Sequence, residues 1–183
     1  QEMAPGQSLK DLHIAIQGLG HVGMALARML HDKGATLTVT DINKDKCLEV
    51  KEKYDASIVE PDDIYDVECD IFAPCALGGS VNKETVERLR CKILCGAANN
   101  QLCVSMVGYA LKDKGIINVP DFLVNAGGVI DAYKDFSRLP SDFHVANMID
   151  GIYDRALLCL KIASDSDVPT NLIAEQMAEK RLK

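Results

Sequence analysis

Short runs rich in β-branched residues alternate along most of this chain with segments whose apolar residues recur at helical spacing. The alternation predicts strands at 12–17, 36–41, 57–59, 69–74, 91–96 and 115–120, and intervening helices at 20–33, 44–54, 82–90 and 102–113. Parallel strands need such crossover segments, and the crossovers are right-handed. The fold class is therefore α/β, a doubly wound parallel sheet wrapped by helices.

The last third of the chain is expected to be helical. From about Gly127 the strand pattern disappears, and helices are predicted after Ser141 and after Thr170, a residue type suited to the N-cap. The first of these helices carries one apolar face, made of Ile149, Ile152, Tyr153, Ala156, Leu157 and Leu160. With 183 residues and no linker or repeat, we expect one domain over 1–183, its C-terminal helices (141–183) packing back on it.

Composition and charge argue against several functional classes. The net charge is -7 without a basic cluster, so nucleic acid is not an expected partner. No apolar run approaches the roughly 18 residues of a membrane span, and the start lacks signal-peptide character, so we expect a cytoplasmic protein with no membrane partner. The seven cysteines are scattered without zinc-site spacing, which favours reduced thiols and no metal site.

A glycine-rich turn joins the first predicted strand to the first helix, at Gly18-Leu19-Gly20-His21-Val22-Gly23. Gly18 permits a tight turn, Gly20 lets a pyrophosphate approach the backbone, and Gly23 lets helix and strand pack closely. The anion would lie at the helix N-terminus, whose N–H groups are unpaired. The helix itself is expected to bury one face, Val22, Leu26, Met29 and Leu30, and to end at Gly34. A turn made only for packing is the alternative.

Asp41 strengthens the dinucleotide interpretation. It ends the second predicted strand, 18 residues after Gly23, where a carboxylate accepts hydrogen bonds from the adenosine ribose. The same carboxylate would repel a 2′-phosphate, and the nearest bases, Lys44 and Lys46, fall on the following helix. The sequence therefore favours NAD over NADP. An Asp solvated in a turn is the competing interpretation.

Three further motifs follow the glycine turn, each at the predicted carboxyl end of a strand, where ligands bind in open α/β sheets. They are "CDIFAPCALGG" (69–79), "GAANNQL" (96–102) and "PDFLVNAGGVID" (120–131). With the glycine turn, they resemble the coenzyme-binding, C-terminal domain of the amino acid dehydrogenases acting on glutamate, leucine, phenylalanine and valine. The leucine dehydrogenase branch is the most similar. The resemblance extends from about Leu9 to Lys183 and implies a Rossmann-type fold.

The resemblance also implies a reaction and a set of site residues. The reaction is reversible oxidative deamination of a branched-chain or aromatic L-amino acid to its 2-oxo acid, with hydride passing to NAD. The implied coenzyme contacts are Gly18, Gly20, His21, Val22 and Gly23 at the pyrophosphate, Asp41 at the ribose, Cys75 and Ala76 further along, and Asn99 and Asn125 near the nicotinamide. Asn125 would also face the amino acid, and Ile149 and Ile152 would line the pocket for its side chain.

Each of these assignments has a purely structural alternative. The alternative for Cys75 is a buried thiol beside a turn, and for the Asn pair at 99–100 a turn that satisfies backbone groups. "NAGG" is alternatively a flexible helix start, and Ile149 and Ile152 are alternatively ordinary helix core. Two positions depart from the family pattern. His21 stands where Asn is common, and it is either a solvent-facing side chain without a role or a group that strengthens coenzyme affinity slightly below pH 7. Asp131 stands where Asn is usual in the leucine branch.

The family's catalytic groups have no counterpart in this sequence. The resemblance implies an N-terminal domain with lysines in a "GGGK"-like segment and a partner Asp, whereas "GGSVNK" (78–83) lies on the coenzyme side. We therefore expect this chain to bind NAD but to be inactive alone. An apolar patch near Ile149 and Ile152 should be exposed in the isolated chain, and the full-length enzyme is expected to be a homo-oligomer. The alternatives are a stand-alone NAD-binding module that senses redox state, and a different NAD-dependent dehydrogenase with another substrate domain.

Overall fold

The computed structural model describes residues 8–137 and 142–182, with the backbone alone for 134–137 and 142–144. Six parallel strands form one sheet in the order β3-β2-β1-β4-β5-β6. The strands are β1 (His13–Gln17), β2 (Thr36–Thr40), β3 (Ser57–Ile58), β4 (Ile71–Pro74), β5 (Ile93–Leu94) and β6 (Ile117–Asn118). The predicted α/β fold is confirmed, and the strand order reverses between β1 and β4.

Helices connect these strands and continue after them. They are α1 (His21–Asp32), α2 (Lys44–Tyr54), α3 (Thr85–Arg88), α4 (Val107–Asp113), α5 (Asp121–Val124), α6 (Gly127–Ser137), α7 (Asp142–Ser166) and α8 (Thr170–Leu182), with short 3-10 turns at Leu9–Asp11 and Asp63–Asp66. The predicted strands over 91–96 and 115–120 shorten to two residues each, because only their middle residues pair with a neighbour. The helix predicted after Ser141 is confirmed as α7, which begins at Asp142.

The sheet has a separate apolar core on each face. On one face Ile14, Ile16, Leu37 and Val39 pack with Ala27 of α1 and the residues of α2. On the other face, the cluster is made of Ala15, Phe72 and Leu94 from the strands and of residues from α3, α4 and the second 3-10 turn, among them Val86, Leu111 and Ile64. Burial on both faces explains why β1 and β4 contain continuous apolar runs rather than alternating ones.

Helix α1 buries only part of the predicted face, since Leu26 and Leu30 are partly buried against the core of the sheet as predicted. Val22 and Met29 are 56% and 60% exposed, whereas the buried residues are Gly23 and Ala27. Small side chains bring the helix axis close to the sheet, so the contact stripe follows the smallest residues rather than the largest apolar ones. The predicted end of the helix is correct, since Gly34 has φ +83° and its N–H donates to His31 O at 2.7 Å.

The C-terminal helices form a third, smaller core. Cys159 and Ala163 of α7 pack with Ile173 and Ala174 of α8, and α8 also lies against α4 and β6. Thr170 is the first residue of α8 rather than its N-cap, and its hydroxyl donates to Asn118 O at 2.6 Å. The predicted cap is therefore wrong, because this hydroxyl attaches α8 to β6 instead. No helix in the described part of the chain has the length and apolar character to cross a membrane.

Candidate coenzyme site at the carboxyl edge of the sheet

Strand register places the predicted site segments side by side. Gln17, the last residue of β1, lies beside Thr40 at the end of β2 and beside Pro74 at the end of β4. Gly18 N–H donates to Thr40 O at 2.8 Å, and Cys75 N–H donates to Gln17 O at 2.7 Å. The residues that follow these three strands therefore emerge at one edge of the sheet, at the point where the strand order reverses.

Two of the three motif glycines are required by close packing. Gly18 has φ +97°, and a Cβ there would lie 2.7 Å from Ala76 N. A Cβ at Gly23 would overlap the carbonyl oxygen of Gly18 and touch Cys75 Cβ at 3.4 Å. The positive φ of Gly18 and the close approach of Gly23 to Gly18 agree with the predicted tight turn and close helix packing. The turn also fits against the start of the loop after β4, a contact that was not predicted.

Gly20 differs because it faces open space. A Cβ at this position would meet no atom within 4 Å, and Gly20 is the N-cap of α1 without any side-chain cap. The first N–H groups of a helix have no partner within the helix. The open face of Gly20 therefore leaves a cradle of backbone donors at the positive end of a 12-residue helix, which suits a pyrophosphate. His21 and Val22 begin this helix and are both exposed.

Asp41 has a structural task besides the predicted one. Its Oδ2 accepts from Leu19 N at 2.5 Å and its Oδ1 accepts from Asn43 N at 2.8 Å. The carboxylate therefore connects the end of β2 to the glycine turn. A carboxylate can accept about four hydrogen bonds, so it retains capacity for ribose hydroxyls. Lys44 begins α2 as predicted, with its Nζ 3.4 Å from Glu60 Oε1.

The loop after β4 carries the next two predicted residues. Cys75 is partly buried and Ala76 is exposed, directly beside Gly18 and Gly23. Burial raises the pKa of the Cys75 thiol above its ordinary value, so this group is a neutral thiol near pH 7 and not a nucleophile. Its side chain can line a bound molecule by contact, while the chemistry of a thiolate is not available there.

Asn99 and Asn125 are brought into direct contact. Asn125 Nδ2 donates to Asn99 Oδ1 at 2.7 Å and to Ala97 O at 2.8 Å. Asn99 lies in the loop after β5, and Asn125 follows α5 after β6. The two residues assigned to the nicotinamide end thus form one polar unit at the same edge of the sheet as the glycine turn.

Other residues at this edge did not stand out in the sequence. A Cβ at Gly78 would overlap the carbonyl oxygen of Asn99, so this glycine lets the loops after β4 and β5 touch. Asp121 accepts a hydrogen bond from Asn100 N at 2.7 Å. Gln101 is fully buried. In the sequence, the signals for these residues were limited to the adjacent glycines that include Gly78 and to the polar Gln101 next to a short apolar run.

The two predicted pocket isoleucines lie on α7. Ile149 is 44% exposed on the N-terminal half of α7, and Ile152 is partly buried. Leu123 of α5 packs against the core that Cys159 and Ala163 of α7 form with α8. The predicted apolar face of α7 is wrong in part, because its buried residues are Cys159 and Ala163. Its exposed surface includes the side chains of Met148, Ile149, Tyr153, Leu157 and Leu158.

A cleft of about 290 Å³ lies at the opposite, amino edge of the sheet, beside His13, Asp70, Arg90 and Lys92. Its polar groups are already engaged with one another. Asp70 accepts from His13 N at 2.9 Å and from Lys92 Nζ at 2.7 Å, and both ring nitrogens of His13 lie 2.8 Å from oxygen atoms of the protein. This cleft is therefore a weaker candidate than the carboxyl edge.

The cysteines are free thiols, in agreement with their scattered spacing. Burial raises the pKa of Cys69 to about 12 and that of Cys91 to about 11, so both are neutral in the core. Within the described ranges, no three side chains of the His, Cys, Asp or Glu type are grouped as they would be around a metal ion.

Comparison with known proteins identifies relatives over nearly the whole chain. The model of the glutamate/leucine/phenylalanine/valine dehydrogenase family matches residues 38–145. Leucine dehydrogenase from Thermoactinomyces intermedius is 46% identical over 176 residues, 96% of this chain and 48% of that protein. Phenylalanine dehydrogenase from Bacillus thermotolerans is 38% identical over 97% of this chain and 47% of its own length.

Solved structures agree with this result. L-tryptophan dehydrogenase from Nostoc punctiforme superposes with a TM-score of 0.88 at 41% identity, covering 93% of this chain and 52% of that one. Hetero-hexameric glutamate dehydrogenase from Thermus thermophilus gives a TM-score of 0.72 at 21% identity, over 97% of this chain and 47% of the other, which shows a shared fold. This chain spans about half the length of the curated relatives it matches.

Proposed function

The chain belongs to the glutamate/leucine/phenylalanine/valine dehydrogenase family, and from this premise we propose that it is the coenzyme-binding, C-terminal part of an NAD-dependent amino acid dehydrogenase. One observation carries the proposal. The glycine turn, Asp41 and the loop after β4 are joined by hydrogen bonds and close packing at the carboxyl edge where the strand order reverses. Dinucleotides bind at this position in open α/β sheets.

The residues of the turn would hold the two phosphates. The N–H groups around Gly20, His21 and Val22 have no side-chain cap, and the open space at Gly20 admits the anion. Gly18 and Gly23 shape the turn, and Asp41 would accept hydrogen bonds from the adenosine ribose. Cys75 and Ala76 would line the coenzyme by contact, and the Asn99–Asn125 pair would lie at the nicotinamide end. When bound, the coenzyme supplies the hydride acceptor.

The proposed coenzyme is NAD rather than NADP. Asp41 brings a negative charge to the end of β2, where the second phosphate of NADP would be placed. Lys44 is the nearest base in sequence, and its ammonium is directed to Glu60. Repulsion by the carboxylate is therefore not offset by an adjacent free cation in this part of the turn.

The proposed substrate is a branched-chain or aromatic L-amino acid. Relatives named for leucine, tryptophan and phenylalanine support an apolar substrate. Asn125 would reach the amino acid, and Ile149 and Ile152 of α7 would contribute apolar surface for its side chain. The exposed apolar side chains of α7, from Met148 to Leu158, suit a surface that another part of the enzyme covers.

We propose that this chain does not catalyse the reaction alone. Deamination needs a group that accepts a proton and a cation that holds the substrate carboxylate, and the described carboxyl edge places no lysine beside Asn99 or Asn125 in any hydrogen bond or ion pair. The rest of the enzyme would supply these groups. The proposed complete enzyme is a cytoplasmic homo-oligomer.

Titration of the chain with NADH, NADPH and ADP-ribose tests the coenzyme part of the proposal. We expect saturable binding of NADH and ADP-ribose and binding of NADPH weaker by roughly tenfold, about 1.4 kcal/mol. Tight binding of NADPH alone would contradict the assignment of Asp41, and failure of both dinucleotides to bind would contradict the site itself.

The natural polypeptide tests the enzymatic part. Its mass can be measured through peptides of this chain, and it can be assayed with NAD and L-leucine, L-phenylalanine or L-tryptophan. We expect a mass about twice 19.9 kDa and turnover of at least one of these amino acids, with none by the 183-residue chain alone. A natural mass near 19.9 kDa with NAD binding would instead favour the stand-alone module.

A further inference from the structure

The loop after β5 is attached to the segment after β6 by hydrogen bonds along its length. We call these the β5 loop (residues 95–101) and the β6 segment (residues 119–125). At the buried end, Gln101 Nε2 donates to Asn118 Oδ1 and to Val119 O, both at 2.9 Å. At the outer end, Asn125 Nδ2 donates to Asn99 Oδ1. The position of Asn99 therefore depends on how the two segments are joined between these ends.

Asn100 is the residue between the two ends, and its backbone is strained. Its φ is +52°, in the left-handed region that residues with a side chain adopt at an energetic cost. Two contacts hold it there: Asn100 N donates to Asp121 Oδ2 at 2.7 Å, and Gly79 N donates to Asn100 O at 2.7 Å. Strained backbone persists where surrounding contacts determine it, commonly at functional sites.

This fixed loop also determines the polarity of the amide pair. The carbonyl of Ala97 only accepts, so the atom of Asn125 that faces it must be Nδ2. The atom of Asn99 that faces the same Nδ2 must then be its oxygen. Asn99 consequently presents Nδ2 as a donor, and Asn125 retains Oδ1 as an acceptor. A ligand at this edge would meet one donor and one acceptor in fixed positions.

We propose that Asp121 is a positioning residue for the nicotinamide end of the coenzyme. Its carboxylate holds Asn100 in the left-handed conformation, and through it sets the place and orientation of Asn99. The inference rests on the proposed coenzyme binding and adds a residue that touches neither coenzyme nor substrate. Within the described residues, the Asp121 side chain accepts a hydrogen bond from the backbone N–H of Asn100, whereas the contact of Asp121 with Asn125 N uses its backbone carbonyl.

The substitutions Asp121→Ala and Asp121→Asn separate this role from a general effect on folding. Alanine removes the acceptor, whereas the Asn oxygen can still accept from Asn100 N. We would titrate the 183-residue chain with NADH, followed by nicotinamide fluorescence, and with ADP-ribose, which lacks the nicotinamide. Asp113→Ala, an exposed acid at the end of α4, is the matched control.

We expect Asp121→Ala to weaken NADH binding by roughly tenfold and to change its fluorescence, with ADP-ribose binding within about twofold of wild type. Asp121→Asn should restore most of the NADH affinity, and Asp113→Ala should match wild type. Equal weakening of NADH and ADP-ribose, unchanged NADH binding in Asp121→Ala, or no rescue by Asn would each overturn the inference while leaving coenzyme binding intact. A wild-type chain that binds neither probe would overturn both this inference and the proposed function.

Discussion

Alanine substitutions at two glycines of the same turn are predicted to affect different properties of the protein, coenzyme binding in one case and stability in the other. Gly20 and Gly23 are three residues apart, and the added methyl group is the same. A Cβ at Gly20 would meet nothing within 4 Å, whereas a Cβ at Gly23 would overlap the carbonyl oxygen of Gly18. Gly20→Ala should therefore impair binding without destabilising the fold, and Gly23→Ala should destabilise the fold.

The magnitude for Gly23→Ala follows from the rigid groups it meets. The obstructing atom belongs to the backbone of a turn with φ +97°, and Cys75 Cβ lies at 3.4 Å on the same side. Because the overlapped atom is rigid backbone, we take the upper part of the usual overpacking cost, about 2–3 kcal/mol, and the helix preference of Ala over Gly returns about 1 kcal/mol. A net loss of about 1–2 kcal/mol lowers Tm by about 2–8 °C for a chain of this size.

Gly20→Ala has no comparable cost in the protein alone. Gly20 has φ -68° and ψ -170°, an extended conformation that alanine adopts readily. Its methyl group would occupy the space through which a pyrophosphate approaches the first N–H groups of α1. We expect NADH to bind at least tenfold more weakly, which is about 1.4 kcal/mol or more, and Tm to change by less than about 2 °C.

Thermal denaturation and NADH titration of both variants and of wild type test this pair. ADP-ribose serves as a second ligand, because it carries the same pyrophosphate and should lose affinity in parallel with NADH. If Gly20→Ala binds NADH as wild type does, the phosphates do not lie at this turn. If Gly23→Ala melts at the wild-type temperature, the turn is looser than its contacts indicate.

Three further predictions concern individual side chains at the two edges of the sheet. Asp41→Ala should lower the free energy of unfolding by about 2 kcal/mol, because two backbone donors lose a charged acceptor. The same substitution should raise the affinity for NADPH relative to NADH, and an unchanged ratio of the two affinities in titrations would contradict the role of Asp41 at the ribose. The raised pKa of the Cys75 thiol predicts that its alkylation is slow near pH 7, becomes faster as the pH rises, and is slowed by NADH. Peptide mass spectrometry should show that the exposed Cys103 reacts before Cys75. The Lys92 ammonium lowers the pKa of Asp70. The ion pair therefore stabilises the folded state above about pH 4, and this stabilisation is lost as the pH falls through the folded-state pKa of Asp70. In the Asp70→Asn variant, the urea concentration at the midpoint of unfolding should therefore decrease less between about pH 5 and pH 2 than it does in wild type. A decrease as steep as that of wild type would count against this ion pair.

Much of the site was accessible from sequence because it depends on local geometry. The tasks of Gly18 and Gly23 follow from a tight turn between strand and helix, and the structure bears out both close approaches. The positions of Asp41 and Asn99 at strand ends follow from the parallel sheet, whose carboxyl ends meet at one edge. The assignments of these residues to the coenzyme stay predictions until binding is measured.

The errors share a physical cause. The buried face of α1 was assigned by hydrophobicity, but Gly23 and Ala27 are buried because the helix packs closely on the sheet. Thr170 was assigned as a cap from its residue type, yet its hydroxyl meets Asn118 O, more than 50 residues away in sequence. Neither contact is encoded in the segment that makes it, since both depend on how distant elements are placed.

The α/β alternation, the glycine turn and the order of the four motifs can be predicted from short stretches of the sequence, because strand and helix periods and φ requirements are properties of a few neighbouring residues. Tertiary structure alone decided that Asp41 joins β2 to the turn, that Asn125 fixes the amide of Asn99, and that Asp121 holds the strained backbone of Asn100. Each of these contacts joins residues 21 to 26 positions apart. Their partners are set by which strands become neighbours, and this information belongs to the packed sheet and not to any single segment.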